Sequence, residues 1–362
     1  MLEPRAEVRA MAEYVPGMSL RQARAESGRE QLVKLASNES LWGPSPRALD
    51  CAHAALTDIN YYPLVQESSL AEALSEREGI PAQNILVGNG ADEILRLAAM
   101  AYVRPGDEVL YPAPSFSAYR HCTLMAGGTP VAVPLNARGA NDLRAVVATM
   151  TEKTRLVYLC SPNNPTGTAF SPEEWDWYLD HVSDQVLTVV DGAYHEFCRA
   201  PSPDFRAAIK RGRPVLWVRT FSKLYGLAAL RVGWGAASPE IVQNLMRVRD
   251  PFSVNSVGWA AAYASLQDPQ YFTAVLAQNW AARDYLSGWL SGAGFSVFES
   301  EANFVTFNVP KPDQEVAQIL LNQGFVVRPT TSFGLPGWIR ITMAPQPIME
   351  ELVGVLEPLA SG

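Results

Sequence analysis

Residues 155–191 run RLVYLCSPNNPTGTAFSPEEWDWYLDHVSDQVLTVVD. Two short apolar runs, Arg155–Cys160 and Leu187–Asp191, flank a helix-length segment at Pro172–His181. Ser171-Pro172-Glu173-Glu174 is a strong helix start: a serine to cap free amides, proline in the first turn, and acids near the positive end of the helix. Strands rich in Val, Leu and Ile that alternate with helices indicate a largely parallel sheet covered on both faces.

The same alternation continues outward. Ile85–Gly88, Glu108–Tyr111, Val131–Leu135, Val215–Thr220 and Val232–Ala236 read as further strands, with helices at Ala91–Tyr102 and Pro239–Val248. After about residue 265 the pattern changes. A long helical stretch, Pro269–Leu290, precedes short strands at Phe295–Phe298, Phe304–Asn308, Phe325–Arg328 and Trp338–Met343, with helices at Gln314–Gln323 and Pro347–Leu359. The expected fold class is α/β: a large domain with a mostly parallel sheet covered by helices, plus a smaller α+β domain. The expected boundaries are 1–30 for an N-terminal segment packing on the small domain, 31–265 for the large domain and 266–362 for the small C-terminal domain.

The composition suits an enzyme of this size. At 362 residues the chain can bury an ample core. Apolar residues make up 48% and charged ones 18%, which separates it from disordered chains. A net charge of −8 argues against a dedicated nucleic-acid binder, while leaving room for a locally positive pocket. Cys51, Cys122, Cys160 and Cys198 are scattered, without a Cys-x-x-Cys pair or clustered histidines, so neither zinc nor a disulfide framework is expected. Glu3, Arg5, Glu7 and Arg9 occupy the place where a signal peptide needs an apolar core, and no run approaches the ~18 apolar residues of a membrane span. A cytoplasmic protein without membrane or nucleic-acid partners is the expectation.

Chemistry-bearing residues collect where the strands end. Thr220-Phe221-Ser222-Lys223 leaves one apolar strand, and Arg231 follows eight residues after the lysine. A lysine can form a Schiff base with an aldehyde cofactor, while small hydroxyls and an arginine can grip a phosphate. Cys160-Ser161-Pro162-Asn163-Asn164-Pro165-Thr166-Gly167 makes a stiff loop after another strand, at the sheet end where ligands of open α/β folds bind; an ordinary Asn-Pro turn is the alternative. Asp191 ends a buried-type strand, where it could partner a protonated ring nitrogen or cap the following turn. Gly88-Asn89-Gly90-Ala91-Asp92-Glu93 joins strand to helix, with amides suited to an anion but without a nucleotide fingerprint. Phe116, in Pro114-Ser115-Phe116-Ser117-Ala118-Tyr119, could stack on a flat cofactor or simply fill the core.

In order and spacing, these motifs resemble the fold-type I pyridoxal-phosphate aminotransferases. Tyr14-Val15-Pro16-Gly17, Leu35-Ala36-Ser37-Asn38-Glu39, Trp42-Gly43-Pro44-Ser45-Pro46, Tyr62-Pro63, Val326-Val327-Arg328-Pro329 and Phe333-Gly334-Leu335-Pro336 leading to Ile339-Arg340-Ile341-Thr342 make the histidinol-phosphate branch the best match. The resemblance runs from about residue 13 to the C-terminal helix. It implies that pyridoxal 5'-phosphate is held covalently by Lys223, which also shuttles a proton. It implies that Asp191 pairs with the ring nitrogen, that Asn164 and Tyr194 bond the phenolic oxygen, and that Phe116 stacks on the ring. Ala91, Asp92, Thr220, Ser222 and Arg231 are the implied phosphate ligands. Tyr62 is implied to reach the neighbouring subunit's cofactor in a homodimer with shared sites. Tyr14, Asn38, Arg328 and Arg340 are the implied substrate residues.

The implied reaction is histidinol phosphate plus 2-oxoglutarate giving imidazole acetol phosphate and glutamate, in histidine biosynthesis. Alternatives on the same scaffold are an aromatic amino-acid aminotransferase or a threonine-phosphate decarboxylase; a non-catalytic binding protein conflicts with the joint presence of Lys223, Asp191, Asn164, Tyr194 and Arg231. Relatives usually have Glu where Gly192 stands and an aliphatic residue where His195 stands, and Met343-Ala344-Pro345 replaces a usual Gly-Thr. Gly192 and His195 sit next to the cofactor strand, and the sequence leaves their effect on specificity open. No role is expected for His53, His121 or His181, and Trp175 and Trp177 are expected to pack.

Overall fold

The computed structural model describes residues 2–360 other than 10, 12, 14–16 and 64–66. Among these, twelve strands form three sheets: β1 (Val33–Lys34), β2 (Ile85–Gly88), β3 (Glu108–Ala113), β4 (Thr129–Pro134), β5 (Thr154–Cys160), β6 (Leu187–Asp191), β7 (Val215–Thr220), β8 (Gly233–Ala236), β9 (Phe304–Asn308), β10 (Phe325–Val326), β11 (Arg328–Pro329) and β12 (Trp338–Thr342). The largest sheet has the order β2-β8-β7-β6-β5-β3-β4. Pairing is parallel from β4 through β7, and β8 runs against both β7 and β2.

Both faces of this sheet are buried, which is why its strands are apolar throughout rather than alternating. The period of two still sorts the side chains. Val157, Leu159, Val190 and Trp217 pack on one face with Phe170, Trp175 and Tyr178. Leu156, Tyr158, Val189 and Val218 pack on the other with Ile94, Leu95 and Ala98 of the helix Gly90–Tyr102. Trp175 is fully buried and stacks on Tyr178, and Trp177 stacks on His181, so both indoles pack as expected. The helix Pro172–His181 begins as its sequence dictates: Glu174 N–H donates to Ser171 Oγ at 3.2 Å, and Ser171 N–H donates to Glu174 Oε2 at 2.7 Å.

A second core lies beneath the sheet β11-β12-β9, which is antiparallel. Val305, Phe307, Ile339 and Ile341 meet Leu286 and Leu290 of the helix Pro269–Gly292 and Leu352 and Leu356 of the helix Gln346–Ala360. The N-terminal region divides its contacts. The helix Leu20–Ser27 packs beside Leu321 and Val326 through Ala23, and β1 pairs parallel with β10. The short helix Ala6–Arg9 lies instead against the helix Ala118–Ala126, where Arg5 Nη2 donates to the Met125 carbonyl at 2.9 Å.

Two expected strands differ in detail. Phe325–Arg328 is divided: Phe325 and Val326 pair with β1, and after Val327 the chain joins β12 through Arg328 and Pro329. Pro329 has no N–H to give a ladder and sits on an edge strand, where none is needed. Phe295–Phe298 makes only an isolated bridge, Val297 to Phe307, because Phe295 N–H donates back to Leu290 at the helix end and Ser296 N–H to the Asn308 side chain. Among the described residues no helix is long and apolar enough to cross a membrane, and no group of three metal-ligating side chains occurs.

Candidate active site

β5, β6 and β7 end side by side, with Cys160 opposite Asp191 and Asp191 opposite Val218. Past their carboxyl ends lies a cavity of about 700 Å³, closed on its far side by residues of β11 and β12. This is where an open parallel sheet binds ligands, because several loops leave adjacent strand ends together.

Asp191 is the last residue of a fully buried strand and faces this cavity. Ala193 N–H donates to its Oδ1 at 3.0 Å, and the Tyr119 hydroxyl donates to its Oδ2 at 2.8 Å. Burial pushes the carboxyl up to about 6, against the pull of those two donors. A carboxylate so desolvated is stabilised by any cation brought to its open side.

The turn after β7 delivers Lys223. Ser222 N–H donates to Thr220 Oγ1 at 3.0 Å, and Phe221 N–H donates to the Val232 carbonyl, which returns the chain to β8. Lys223 Nζ donates to the Ser37 carbonyl at 3.2 Å and stands 5.7 Å from the centre of the Tyr194 ring. Burial first, and then the Arg340 guanidinium, push this ammonium down to about 8. A large share of the amine is therefore neutral, and nucleophilic, at mildly alkaline pH.

An anion-binding corner adjoins the lysine. The helix Gly90–Tyr102 starts at Asn89, whose side chain makes no cap, so the first-turn amides at Ala91 and Asp92 stay available to an anion. Gly90 has φ +78, a backbone that favours glycine, and a Cβ there would lie 2.6 Å from Arg231 Nη2, so the guanidinium keeps its place only without one. Arg231 itself has φ +54, an unfavourable backbone of the kind that collects at functional sites. Its Nη1 lies 3.5 Å from Ser222 Oγ and its Nη2 donates to Asp92 Oδ2 at 3.0 Å. Ala91, Asp92, Thr220, Ser222 and Arg231 thus gather at one end of the cavity.

The opposite end is bound to the small sheet. The loop after β5 is stiffened by its own side chains: Ser115 Oγ donates to Asn163 Oδ1 at 2.7 Å, and Asn163 Nδ2 donates to Thr166 Oγ1 at 2.9 Å. Asn164 Oδ1 accepts from Arg340 Nη1, whose Nη2 donates to the Ala36 carbonyl at 2.7 Å. Asn38, in the left-handed region at φ +54, donates through Nδ2 to the Tyr194 hydroxyl at 2.9 Å. Arg328 and Arg340 are direct cross-strand partners in the β11–β12 ladder, and both guanidiniums lie over the Phe333 ring, at 5.2 and 5.3 Å. Like charges directly opposite each other disfavour a ladder, so this pairing makes sense where an anion lies between them. Phe116 lines the same cavity from the large-sheet side.

The structure therefore brings together Asn38, Ala91, Asp92, Phe116, Asn164, Asp191, Tyr194, Thr220, Ser222, Lys223, Arg231, Arg328 and Arg340 around one cavity. Tyr62 is not among them; it is 73% exposed and stacks on Phe252 with ring centres 4.4 Å apart. Tyr14 lies outside the described residues.

Neither Gly192 nor His195 lines the cavity. Both lie away from the cavity, on the side of β6 that meets Trp217. His195 sits edge-on to Trp217 at 5.1 Å, and a Cβ on Gly192 would come 2.8 Å from the Trp217 indole nitrogen and 3.1 Å from Arg219 Cδ. The space a larger residue would need is occupied by Arg219, which pairs with Glu196 at 2.6 Å. These departures are matters of packing. Met343 is likewise core, with its N–H donating to the Asn303 carbonyl.

Sequence reasoning missed Ser37, Tyr119, His121 and Phe333. His121 reaches the cavity rim from the helix Ala118–Ala126, with Nδ1 2.8 Å from the Ser117 carbonyl oxygen.

Comparison with known proteins agrees with this geometry. The family model described as aminotransferase class I and II matches residues 30–356. The chain is 42% identical over 343 residues to a histidinol-phosphate aminotransferase of Symbiobacterium thermophilum, covering 95% of this chain and 94% of that one. It is 33% identical over 344 residues to the histidinol-phosphate aminotransferase of Bacillus subtilis, covering 95% and 96%. Among solved structures, the histidinol-phosphate aminotransferase of Sinorhizobium meliloti in complex with pyridoxal-5'-phosphate superposes with a TM-score of 0.88 at 26% identity, covering 98% of this chain and 97% of that one. The lysine, acid and anion corner at the ends of β5–β7 thus stand in a chain that belongs to the class I and II aminotransferases.

Proposed function

We propose that this protein uses pyridoxal 5'-phosphate to move an amino group from histidinol phosphate to 2-oxoglutarate, giving imidazole acetol phosphate and glutamate. The observation that carries the substrate assignment is the directly opposed pair Arg328 and Arg340 across the cavity from the anion corner. Two guanidiniums side by side suit a dianionic phosphate, which offers three acceptor oxygens. They equally suit the two carboxylates of glutamate, which must use the same site in the second half of the reaction. The names of the relatives point the same way.

The residues present fit the cofactor. Ala91 and Asp92 amides, Thr220, Ser222 and Arg231 would hold its phosphate, Phe116 its ring face, Asp191 its ring nitrogen, and Asn164 with Tyr194 its phenolic oxygen. When bound, it supplies an electron sink for the bond broken at the amine-bearing carbon. The chain's own part is then specific. Lys223, with its depressed basicity, takes the proton from that carbon and returns it, a general acid–base role. Asp191 holds negative charge at the far edge of the ring site, and Arg328 and Arg340 orient the anionic tail. Residues 31–265 are proposed as the large cofactor-binding domain and 266–362 as the small C-terminal domain, with the helix Leu20–Ser27 of the N-terminal segment packing on the small domain. The four free cysteines accord with a reducing, cytoplasmic setting.

Arg328→Ala should raise KM for histidinol phosphate by about 10–150-fold, the equivalent of one lost charged contact, and KM for phenylalanine far less. Steady-state assays with histidinol phosphate, phenylalanine, tyrosine and threonine phosphate decide this. Equal activity on phenylalanine, indifferent to the substitution, moves the assignment to an aromatic aminotransferase.

A homodimer with shared sites is proposed from the surface around Tyr62. Tyr62 and Phe252 stack on each other in an exposed apolar patch with Ile59 and Tyr61; patches of this kind mark interfaces, and two-fold assembly is the commonest closed arrangement. Mixing inactive Lys223→Ala protein with an inactive Tyr62→Ala variant should restore part of the activity, because one heterodimer site keeps both native residues. A fully active monomer on sedimentation would sink the shared-site reading.

A further inference from the structure

The hydroxyl that donates to Asp191 belongs to a side chain with no part in the chemistry described so far. Tyr119, on the helix Ala118–Ala126, is fully buried. Its ring stacks on Tyr158, with centres 5.0 Å apart at 21°, and meets the edge of Phe116 at 5.9 Å and 87°. Tyr158 is itself anchored, its hydroxyl donating to the Leu95 carbonyl at 2.9 Å. Held by these contacts, the phenol donates its O–H to Asp191 Oδ2 at 2.8 Å, with the Cys160 thiol as its other polar neighbour. Burial and the charge of Asp191 hold the Tyr119 hydroxyl well above its ordinary pKa, so it stays a donor at all working pH values.

We propose that Tyr119 is a positioning residue that orients Asp191 and keeps it ionised towards the cavity, while its ring seats Phe116. One buried side chain then sets both the charge at the edge of the ring site and the flat wall beside it. The inference rests on the reading of Asp191 as the partner of a cofactor ring nitrogen.

Several groups face this carboxylate. Asp92, from the helix Gly90–Tyr102, pushes the Asp191 carboxyl up, and Lys223, from the turn after β7, pulls it down. Cys160 on β5 and Tyr194 after β6 are held protonated by burial and bring no charge. Among these neighbours Tyr119 is the strongest influence opposing the effect of burial. Hydrogen bonding to the charged form is the means by which a buried carboxylate stays charged.

Tyr119→Phe removes the hydroxyl and keeps the ring, so the contacts with Tyr158 and Phe116 survive. The Asp191 titration midpoint, followed by carbon NMR on the full-length protein with Asp191→Asn for assignment, should rise by about one pH unit. The dissociation constant for pyridoxal phosphate near neutral pH should rise about tenfold, and the acid limb of kcat should move up with the midpoint while KM stays constant. Fluorotyrosine at 119, a stronger donor of nearly the same shape, should move the midpoint the other way and covers the case of poor folding in the phenylalanine variant. A midpoint that moves in neither protein overturns the inference. Failure of the reading beneath it shows separately, as cofactor affinity unchanged by Asp191→Asn in the otherwise native chain.

Discussion

Lys223→Ala should lower the turnover number by at least about 10²–10⁴-fold, the span that positioned acid–base catalysis alone supplies. The loss should exceed that span, because the same amine is proposed to tether the cofactor. Lys223 is the one lysine among the described residues lining the cavity. Lys223 Nζ is fixed by the Ser37 carbonyl on one side and faces the Tyr194 ring on the other. Arg120, Arg231, Arg328 and Arg340 also line the cavity, and guanidiniums do not give up a proton in this range. Wild-type protein loaded with pyridoxal phosphate should show a visible absorption band that borohydride abolishes, and Lys223→Ala should lack the borohydride-sensitive form. Multiple turnovers at a near-native rate in the alanine variant would remove Lys223 from the mechanism.

Asp191→Asn is the second large effect. The amide has almost the same shape, and it can still accept from Ala193 N–H or Tyr119 through its oxygen, so the fold should persist. What it lacks is charge. Losing a charged hydrogen-bond partner costs about 1.5–3 kcal/mol in binding, and the rate should suffer further because a neutral amide does not hold a ring nitrogen protonated. The measurement is twofold: cofactor affinity by titration, and release of isotope from the amine-bearing carbon of the substrate. Full cofactor binding with undiminished isotope release would show that another group sets the ring's charge. The direction with pH follows from the raised value of about 6. The carboxylate form of the unloaded protein is lost as pH falls through that value, so cofactor affinity should decline on the acid side there, and the asparagine variant should lack that limb.

The two predictions meet at one structural fact. Asp191 ends β6 and Lys223 follows the end of β7, the neighbouring strand. A parallel sheet delivers consecutive strand ends to one edge, so a carboxylate and an amine far apart in the chain arrive on the same cavity without any loop having to travel. The arginine pair uses the opposite device. It sits on an antiparallel ladder of the small sheet, and Arg340 reaches back to Asn164 and the Ala36 carbonyl, so this end of the cavity is built by contact between the two sheets.

Much of this was legible in the residues alone. The bounds of Pro172–His181 and Pro239–Val248 follow from a serine cap, a proline in the first turn and apolar periodicity, all of which act within a few residues. Strands ending at Asp191 and Thr220, and the loops that carry Asn164 and Gly90, were visible for the same reason: propensity and turn chemistry are local. What only the tertiary structure decided depends on strand order and register. The Tyr119–Asp191 bond spans 72 residues, Lys223 to Ser37 spans 186, and Arg340 to Asn164 spans 176. Gly192 and His195 follow Asp191 in the chain, yet they face Trp217 and Arg219 because the chain leaves β6 towards the other face of the sheet. Periodicity says that a side chain is buried; which neighbour buries it is set by how distant strands pack, and that information is not carried by any one stretch of sequence.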